Sequence, residues 1–233
     1  IDVDTASYSI VRSSLMNGQL PPAAAVRIEE MMNYFPYDYA APDAGAFATS
    51  LAMMQTPWNE NTRLLRIAIQ GDMPEIDARP PLNLVFVIDT SGSMNQPNKL
   101  PLLKQSLRLM LGQLRAEDQI AIVAYAGSAG QVLEPTAASE RDTILGALDN
   151  LAAGGGTNGQ AGLQQAYALA DQMQNDGEVS RVLLATDGDF NVGLSNPDAL
   201  KDYIADKRVS GTFLSVLGFG RGNLDDATMQ ALA

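Results

Sequence analysis

Four nearly continuous apolar runs, separated by amphipathic segments, dominate the chain from residue 82 onward. The runs are LNLVFVID (82–89), DQIAIVAYAG (118–127), RVLLATD (181–187) and GTFLSVLGFG (211–220). Strands that are apolar at successive positions are typical of a parallel sheet that is buried on both faces. The intervening segments predict crossover helices at 99–115, 139–152, 159–175 and 197–208. The pattern therefore predicts an α/β fold, a doubly wound and mainly parallel sheet flanked by helices, in which QVLEPT (131–136) adds an antiparallel edge strand.

The residues before this unit follow a different pattern and predict a small N-terminal extension. It contains two predicted helices and two predicted strands that flank the turn PWNEN, at residues 7–16, 23–35, 46–56 and 62–71. The polar, proline-rich segment GDMPEIDARPP (71–81) marks the boundary. We therefore predict an extension of helices and an antiparallel pair at 1–81, and an α/β domain at 82–233.

Composition excludes several kinds of site. The chain has neither cysteine nor histidine, which excludes disulfides, Cys-type zinc sites and a Ser-His-Asp triad. Any metal must be bound through oxygen, which favours Mg²⁺, Ca²⁺ or Mn²⁺. The formal net charge of −12 argues against nucleic acid as a partner. No apolar run approaches the roughly 20 residues of a membrane-spanning helix, so the sequence predicts no transmembrane segment in this chain.

Oxygen-bearing side chains follow three of the predicted elements of the α/β domain. They are Asp89, Ser91 and Ser93 after the first strand, Thr157 in the loop AAGGGTNG, and Asp187 at the end of RVLLATD. The carboxyl ends of parallel strands meet at one edge of a sheet, where ligands bind in doubly wound folds. Carboxylate and hydroxyl oxygens are suitable ligands for a hard divalent cation, so this set predicts a metal site.

Each of these residues also has a simpler interpretation. The two serines could cap the helix that follows the first strand, and Thr157 could be only the N-cap of the helix beginning NGQAGLQQ. Asp187 could be only a turn residue. The occurrence of all five in a correctly alternating frame favours the metal site over three separate local roles.

The motifs DTSGSM, GGGTN and LLATDGD resemble the von Willebrand factor type A domain and its metal-ion-dependent adhesion site. That family's pattern is Asp-x-Ser-x-Ser, then a Thr, then an Asp, and every position is filled here in order. The resemblance implies that Asp89, Ser91, Ser93, Thr157 and Asp187 hold Mg²⁺, or Ca²⁺ or Mn²⁺. It also implies that a Glu or Asp of a partner protein completes the coordination. The family continues into a further strand and helix, so we expect 82–233 to lack these and the intact protein to extend further.

The N-terminal motifs carry a second resemblance. IDVDTASYS, LPPAAAVRIEEMMNYFPYDY and the PWN turn resemble the segment that precedes this domain in bacterial envelope-associated proteins, many of them predicted lipoproteins. The resemblance implies a location in the bacterial cell envelope or outside the cytoplasm, periplasmic or at the surface. A lipid anchor would then belong to a segment not in this chain.

These observations predict a non-enzymatic, divalent-metal-dependent protein-binding module that serves adhesion or interaction. Mostly neutral hydroxyl ligands leave a bound cation electrophilic toward an incoming carboxylate. Two alternatives remain open at this point: a metal-assisted hydrolase of phosphate or ester groups, and a structural envelope component stabilised by its metal. The lack of histidine, cysteine and a convincing lysine base argues against the hydrolase.

Overall fold

The chain forms two compact units, whose boundary lies in the proline-rich segment. The computed structural model describes residues 4–73, 78–188, 204–207, 209 and 211–220. The units are Ile1–Arg79 and Pro80–Ala233. The division after residue 81 that the sequence predicts falls within the same segment.

The first unit contains two short helices and a β-hairpin. Its elements are α1 Ala6–Met16, α2 Ile28–Asn33, β1 Phe47–Thr56 and β2 Asn59–Gly71, with a 3₁₀ turn at Ala23–Ala25. The two strands pair in antiparallel fashion from Phe47 opposite Gly71 to Gln55 opposite Arg63. The predicted hairpin is therefore present.

The prediction of a single helix over 23–35 is wrong, because the helical conformation is interrupted between the 3₁₀ turn and α2. The buried side chain of Ser7 bridges this break: its hydroxyl donates to the Ala25 carbonyl at 2.5 Å and accepts from the Arg27 N–H at 2.9 Å. The Ser7 N–H in turn donates to the Glu30 carboxylate at 2.9 Å. These contacts with α1 satisfy backbone groups that a continuous helix would have paired within itself.

The hairpin exposes apolar side chains on both of its faces. Met53 and Met54 are adjacent in β1, so they point to opposite faces, and both are more than half exposed. Eight large apolar side chains of the two strands are 45% to 69% exposed: Phe47, Leu51, Met53, Met54, Leu64, Leu65, Ile67 and Ile69.

The second unit is built on a five-stranded sheet. Its strands are β3 Leu82–Asp89, β4 Gln119–Tyr125, β5 Ala129–Ala137, β6 Val179–Thr186 and β7 Thr212–Gly218. Their order across the sheet is β5-β4-β3-β6-β7, and all neighbours are parallel except the edge strand β5. This confirms the doubly wound, mainly parallel α/β fold predicted from the sequence.

Helices cover both faces of the sheet. They are α3 Leu100–Leu111, α4 Arg141–Asp149 and α5 Gly159–Met173. Alternate residues of the central strand β3 enter two different cores: Val85 and Val87 pack with α5, whereas Phe86 and Ile88 pack with α3 and α4. Burial on both faces explains why β3 is apolar at almost every position.

Two predicted elements fall largely outside the described residues. Of the helix predicted at 197–208, only 204–207 are described, as part of a helix. The helix start predicted in NLDDATMQALA also lies outside the described residues. Among the helices that the structure describes, none is both long and apolar enough to cross a membrane.

Candidate metal site

The central strand β3 places Asp89 at the edge where the strand order switches. Asp89 ends β3 and is fully buried, and β3 is flanked on one side by β4, the next strand along the chain, and on the other by β6. One carboxylate oxygen, Oδ1, accepts the Ser91 N–H at 2.8 Å, and Oδ2 accepts the Thr186 hydroxyl at 3.1 Å. The carboxylate is therefore fixed both by its own loop and by the neighbouring strand.

The two serines lie next to each other in the loop that follows β3. Their Oγ atoms are 3.0 Å apart; Ser91 is buried and Ser93 half-buried. Ser91 precedes a 3₁₀ turn at Gly92–Met94 and Ser93 lies within it, and the Ser91 side chain makes no capping hydrogen bond to this turn. The residue at the N-cap of α3 is Lys99. The serines therefore do not cap this helix, and the simpler interpretation offered for them is wrong.

The glycine loop that contains Thr157 is fastened to the loop after β3 by backbone hydrogen bonds. The Gly154 N–H donates to the Thr90 carbonyl at 2.7 Å, and the Gly92 N–H donates to the Gly155 carbonyl at 3.2 Å. Gly155 has a φ of +85°, a conformation that side chains disfavour. The side chain that caps α5 is Asn158, which accepts from the Ala161 N–H, so capping does not explain Thr157.

Asp187 follows β6 and forms a buried ion pair with a lysine that the sequence analysis did not identify. The Lys99 ammonium donates to Asp187 Oδ2 at 2.7 Å and to the Ser93 carbonyl at 3.1 Å. The two side chains are 4% and 0% exposed. The pair therefore connects the serine loop after β3 with the end of β6.

Negative charge is concentrated in a buried place. Burial raises the pKa of Asp89 above its ordinary value, and the charge of Asp187 contributes in the same direction, although hydrogen bonds from Ser91 and Thr186 oppose the rise. The phenol of Tyr125 also has a pKa well above its usual range, because it is buried and near the charge of Asp89. Both shifts are due first to burial, which disfavours the charged forms, and in part to the neighbouring carboxylates, whose negative charge a cation would offset.

The donor set fits a hard divalent cation. Neighbouring oxygens in an octahedron of radius about 2.1 Å lie about 3.0 Å apart, which is the separation of the two serine hydroxyls. Among the described residues, no group of three or more acidic side chains gathers to hold a metal. An ion at this edge would therefore depend on hydroxyl oxygens beside the carboxylates of Asp89 and Asp187.

The structure brings four predicted ligands to one edge of the sheet: Asp89, Ser91, Ser93 and Asp187. Backbone hydrogen bonds hold the loop that contains Thr157 next to the loop after β3. Whether all five bind a metal stays a prediction. Sequence reasoning missed Lys99 and Thr186, which hold the two carboxylates. One signal did point to Lys99, since a lysine at a helix N-terminus opposes the helix dipole and suggests a role elsewhere.

Two family models match this chain. Residues 84–189 match the von Willebrand factor type A domain, and residues 1–66 match a second model described as von Willebrand factor. The uncharacterized protein YfbK of Escherichia coli strain K12 is 43% identical over 241 residues. That alignment covers 100% of this chain and 42% of YfbK, so the chain spans less than half of this relative.

Solved structures share the fold. A von Willebrand factor type A protein from Catenulispora acidiphila aligns with a TM-score of 0.57 and 19% identity, covering 85% of this chain and 45% of that one. Proximal thread matrix protein 1 of the mussel byssus, with a zinc-occupied metal-ion-dependent adhesion site, also has a TM-score of 0.57, with 24% identity over 68% of this chain and 40% of its own.

An aerotolerance-related membrane protein from Bacteroides fragilis aligns with a TM-score of 0.55 and 18% identity, over 66% of this chain and 86% of that one. At these sequence identities, the similarity to solved structures supports the fold alone. The family model that matches residues 84–189 agrees with that fold. The chain belongs to the von Willebrand factor type A family.

Proposed function

We propose that this chain is a divalent-cation-dependent protein-binding module. The cation is held by Asp89, Ser91, Ser93, Thr157 and Asp187, and a Glu or Asp carboxylate of a partner protein completes its coordination. The observation that carries the proposal is the pair of serine hydroxyls, 3.0 Å apart, beside two buried carboxylates at the switch point of the sheet. In doubly wound folds this edge is where ligands bind.

The charges around the site favour an acidic ligand. Asp89 and Asp187 contribute two negative charges and Lys99 contributes one positive charge, so these three groups sum to −1. A divalent cation changes that sum to +1, because hydroxyl ligands add no charge. A site with net positive charge and few competing anions attracts a carboxylate from outside.

The two serine hydroxyls share a hydrogen bond of 3.0 Å, and this spacing is compatible with the octahedral coordination of Mg²⁺ or Mn²⁺. Ca²⁺ binds oxygen at 2.3–2.6 Å, so its neighbouring ligands usually stand further apart than the two serine hydroxyls do. We propose Mg²⁺ as the resident ion, with Mn²⁺ and Ca²⁺ as weaker substitutes. The zinc in the mussel protein's site supports a divalent ion at this position of the fold.

We propose that the module is not an enzyme. The candidate bases at this edge are already engaged: the Asp89 carboxylate accepts hydrogen bonds from Ser91 and Thr186, and Lys99 is held by Asp187. Neither is positioned as an unhindered general base, which supports binding over the alternative of metal-assisted hydrolysis.

We also propose that the protein acts in the bacterial cell envelope or outside the cytoplasm. The N-terminal motifs support this location through their resemblance to envelope-associated proteins, and the fold is shared with a bacterial membrane protein related to aerotolerance. Fractionation of cells that express the natural protein tests this part, and recovery in the cytoplasmic fraction alone would contradict it.

Calorimetric titration of Mg²⁺ into chelator-stripped protein tests the metal site. We expect one saturable site that Asp89→Ala abolishes and that Asp171→Ala, which removes a surface acid paired with Lys207, leaves intact. Acetate then serves as the simplest carboxylate probe: its addition should shift the backbone amide resonances of Gly92 and Gly188 only when Mg²⁺ is present.

The outcomes separate the three candidate functions. Mg²⁺ binding without any acetate response would favour a structural metal. Mg²⁺-dependent hydrolysis of a generic phosphoester, lost in Asp89→Ala, would favour the hydrolase. Equal Mg²⁺ binding by the wild type and Asp89→Ala would refute the site itself.

A further inference from the structure

Lys99 stands where local physical chemistry disfavours a lysine. It is the N-cap residue of α3, at the positive end of that helix's dipole, and only 3% of the residue is exposed. A buried cation at a helix N-terminus costs free energy unless a specific partner offsets the cost. Its placement therefore points to a role set by what the ammonium contacts.

The contacts of the ammonium lie within the candidate metal site. Nζ donates to Asp187 at 2.7 Å and to the carbonyl of Ser93 at 3.1 Å, so it touches one predicted ligand and the backbone of another. Gly220, after β7, lies against the stem: a Cβ at Gly220 would come within 2.5 Å of Lys99 Cε. Gly220 has a φ of +86°, a backbone conformation that favours glycine. Its backbone therefore packs against the lysine stem at a position where a side chain would not fit.

We infer that Lys99 is a tethered counter-cation of the metal site: it balances Asp187 when the metal is absent, and its charge weakens metal binding while strengthening the attraction of the loaded site for a carboxylate. This inference rests on the proposed function, because it concerns the same site. It makes Lys99 a positioning and tuning residue and does not make it a metal ligand.

Two opposite effects follow from one charge. Because the ammonium and a divalent cation are both attracted to Asp187, each lowers the affinity of the site for the other. Once the metal is bound, the same ammonium adds to the positive potential that a partner's carboxylate encounters. A residue that only supports the fold would, when replaced, weaken both kinds of binding together.

Replacing the lysine by a neutral residue separates these roles. In Lys99→Met we expect Mg²⁺ to bind about tenfold more tightly than in the wild type, since a repelling charge is removed. We expect acetate to bind the Mg²⁺-loaded variant several-fold more weakly. Lys99→Gln, which keeps a hydrogen-bond donor for Asp187 and Ser93, should change both affinities in the same directions.

The matched control is Lys207→Met, which removes a lysine that pairs with Asp171 outside the site. Its Mg²⁺ affinity should stay within about twofold of the wild type, because screening weakens distant charges. If Lys99→Met folds poorly in chelator, Lys99→Gln decides the question, and recovery of the Met variant by Mg²⁺ supports the inference, since the ion then replaces the missing charge.

Failure of this inference is distinguishable from failure of the metal site. If the wild type binds Mg²⁺ and Asp89→Ala does not, yet both Lys99 variants bind Mg²⁺ as weakly as the wild type or more weakly, the inference is overturned and the site stands. If neither the wild type nor the Lys99 variants bind Mg²⁺ or Mn²⁺, the site and the inference fall together.

Discussion

Replacing Gly162 by alanine should destabilise the α/β unit, although alanine is the better helix former. Gly162 is buried in α5, and a Cβ there would lie 3.0 Å, 3.1 Å and 3.2 Å from three carbon atoms of Tyr125. Tyr125 has little room to yield, since it is fully buried and β4 is paired at this position on both sides, with Asp89 and Ala129. The new methyl group must therefore overpack the core.

The magnitude follows from two opposing contributions. Alanine in place of glycine within a helix stabilises by about 1 kcal/mol, whereas overpacking a rigid core costs about 1–3 kcal/mol. We expect the free energy of unfolding of Gly162→Ala to fall by about 1 kcal/mol. The Tyr125 carbonyl accepts both the N–H and the hydroxyl of Thr90, at 2.9 Å and 3.1 Å, so the same displacement should also disturb the serine loop.

Gly146→Ala is the matched control. Gly146 lies in α4 and is exposed, and a Cβ added to it would meet no other atom within 4 Å, so only the helix-forming contribution remains. We expect its free energy of unfolding to rise by about 0.5–1 kcal/mol. Urea denaturation in chelator, followed by far-ultraviolet circular dichroism, measures both. A Gly162 variant as stable as the Gly146 variant would refute the packing argument.

Three further variants test buried polar contacts of the α/β unit, two of them at the site and one, at Asn83, near the opposite end of β3. Asp89→Asn should stabilise the metal-free protein at neutral pH. Folding raises the pKa of the Asp89 carboxyl, so the protonated group favours the folded state below its unfolded pKa, and this contribution is lost as the pH rises through the folded pKa. Thermal unfolding in chelator from acid to neutral pH measures this; the same fall with pH in both proteins would contradict it. Asn83→Ala should cost about 1–3 kcal/mol in urea denaturation, because the buried amide donates to the Met173 carbonyl and to Glu178. Thr186→Val removes the hydroxyl that donates to Asp89 and accepts the Gly188 N–H, so calorimetry should show Mg²⁺ affinity reduced about tenfold; unchanged affinity would exclude a supporting role.

The sheet was predictable because a strand that is buried on both faces is apolar at nearly every position. β3 is apolar at nearly every position because Val85 and Phe86 enter different cores, and its short length favours a strand over a buried helix. The parallel order then brings the ends of β3 and β6 together, so the proximity of Asp89 and Asp187 follows from topology alone.

Contacts between residues distant in sequence were not predictable in this way. The break before α2 depends on Ser7, which binds Ala25 and Arg27 from a different helix, and no local propensity encodes that contact. Lys99 was missed for the same reason: its partner Asp187 is 88 positions away, and only its poor fit at a helix N-terminus marks it.

The position of Trp58 determines which part of the molecule tryptophan fluorescence can report. It is the only tryptophan in the chain, it lies in the turn between β1 and β2, and it is 77% exposed. Its emission therefore describes the hairpin of the first unit, whereas the candidate metal site and the large buried core belong to the second. Of the seven tyrosines, Tyr8, Tyr34, Tyr37 and Tyr39 belong to the first unit, whereas Tyr125 and Tyr167 are fully buried in the α/β unit. The total near-ultraviolet tyrosine signal therefore reports on both units, and only a signal assigned to Tyr125 or Tyr167 describes the core of the unit that bears the candidate metal site.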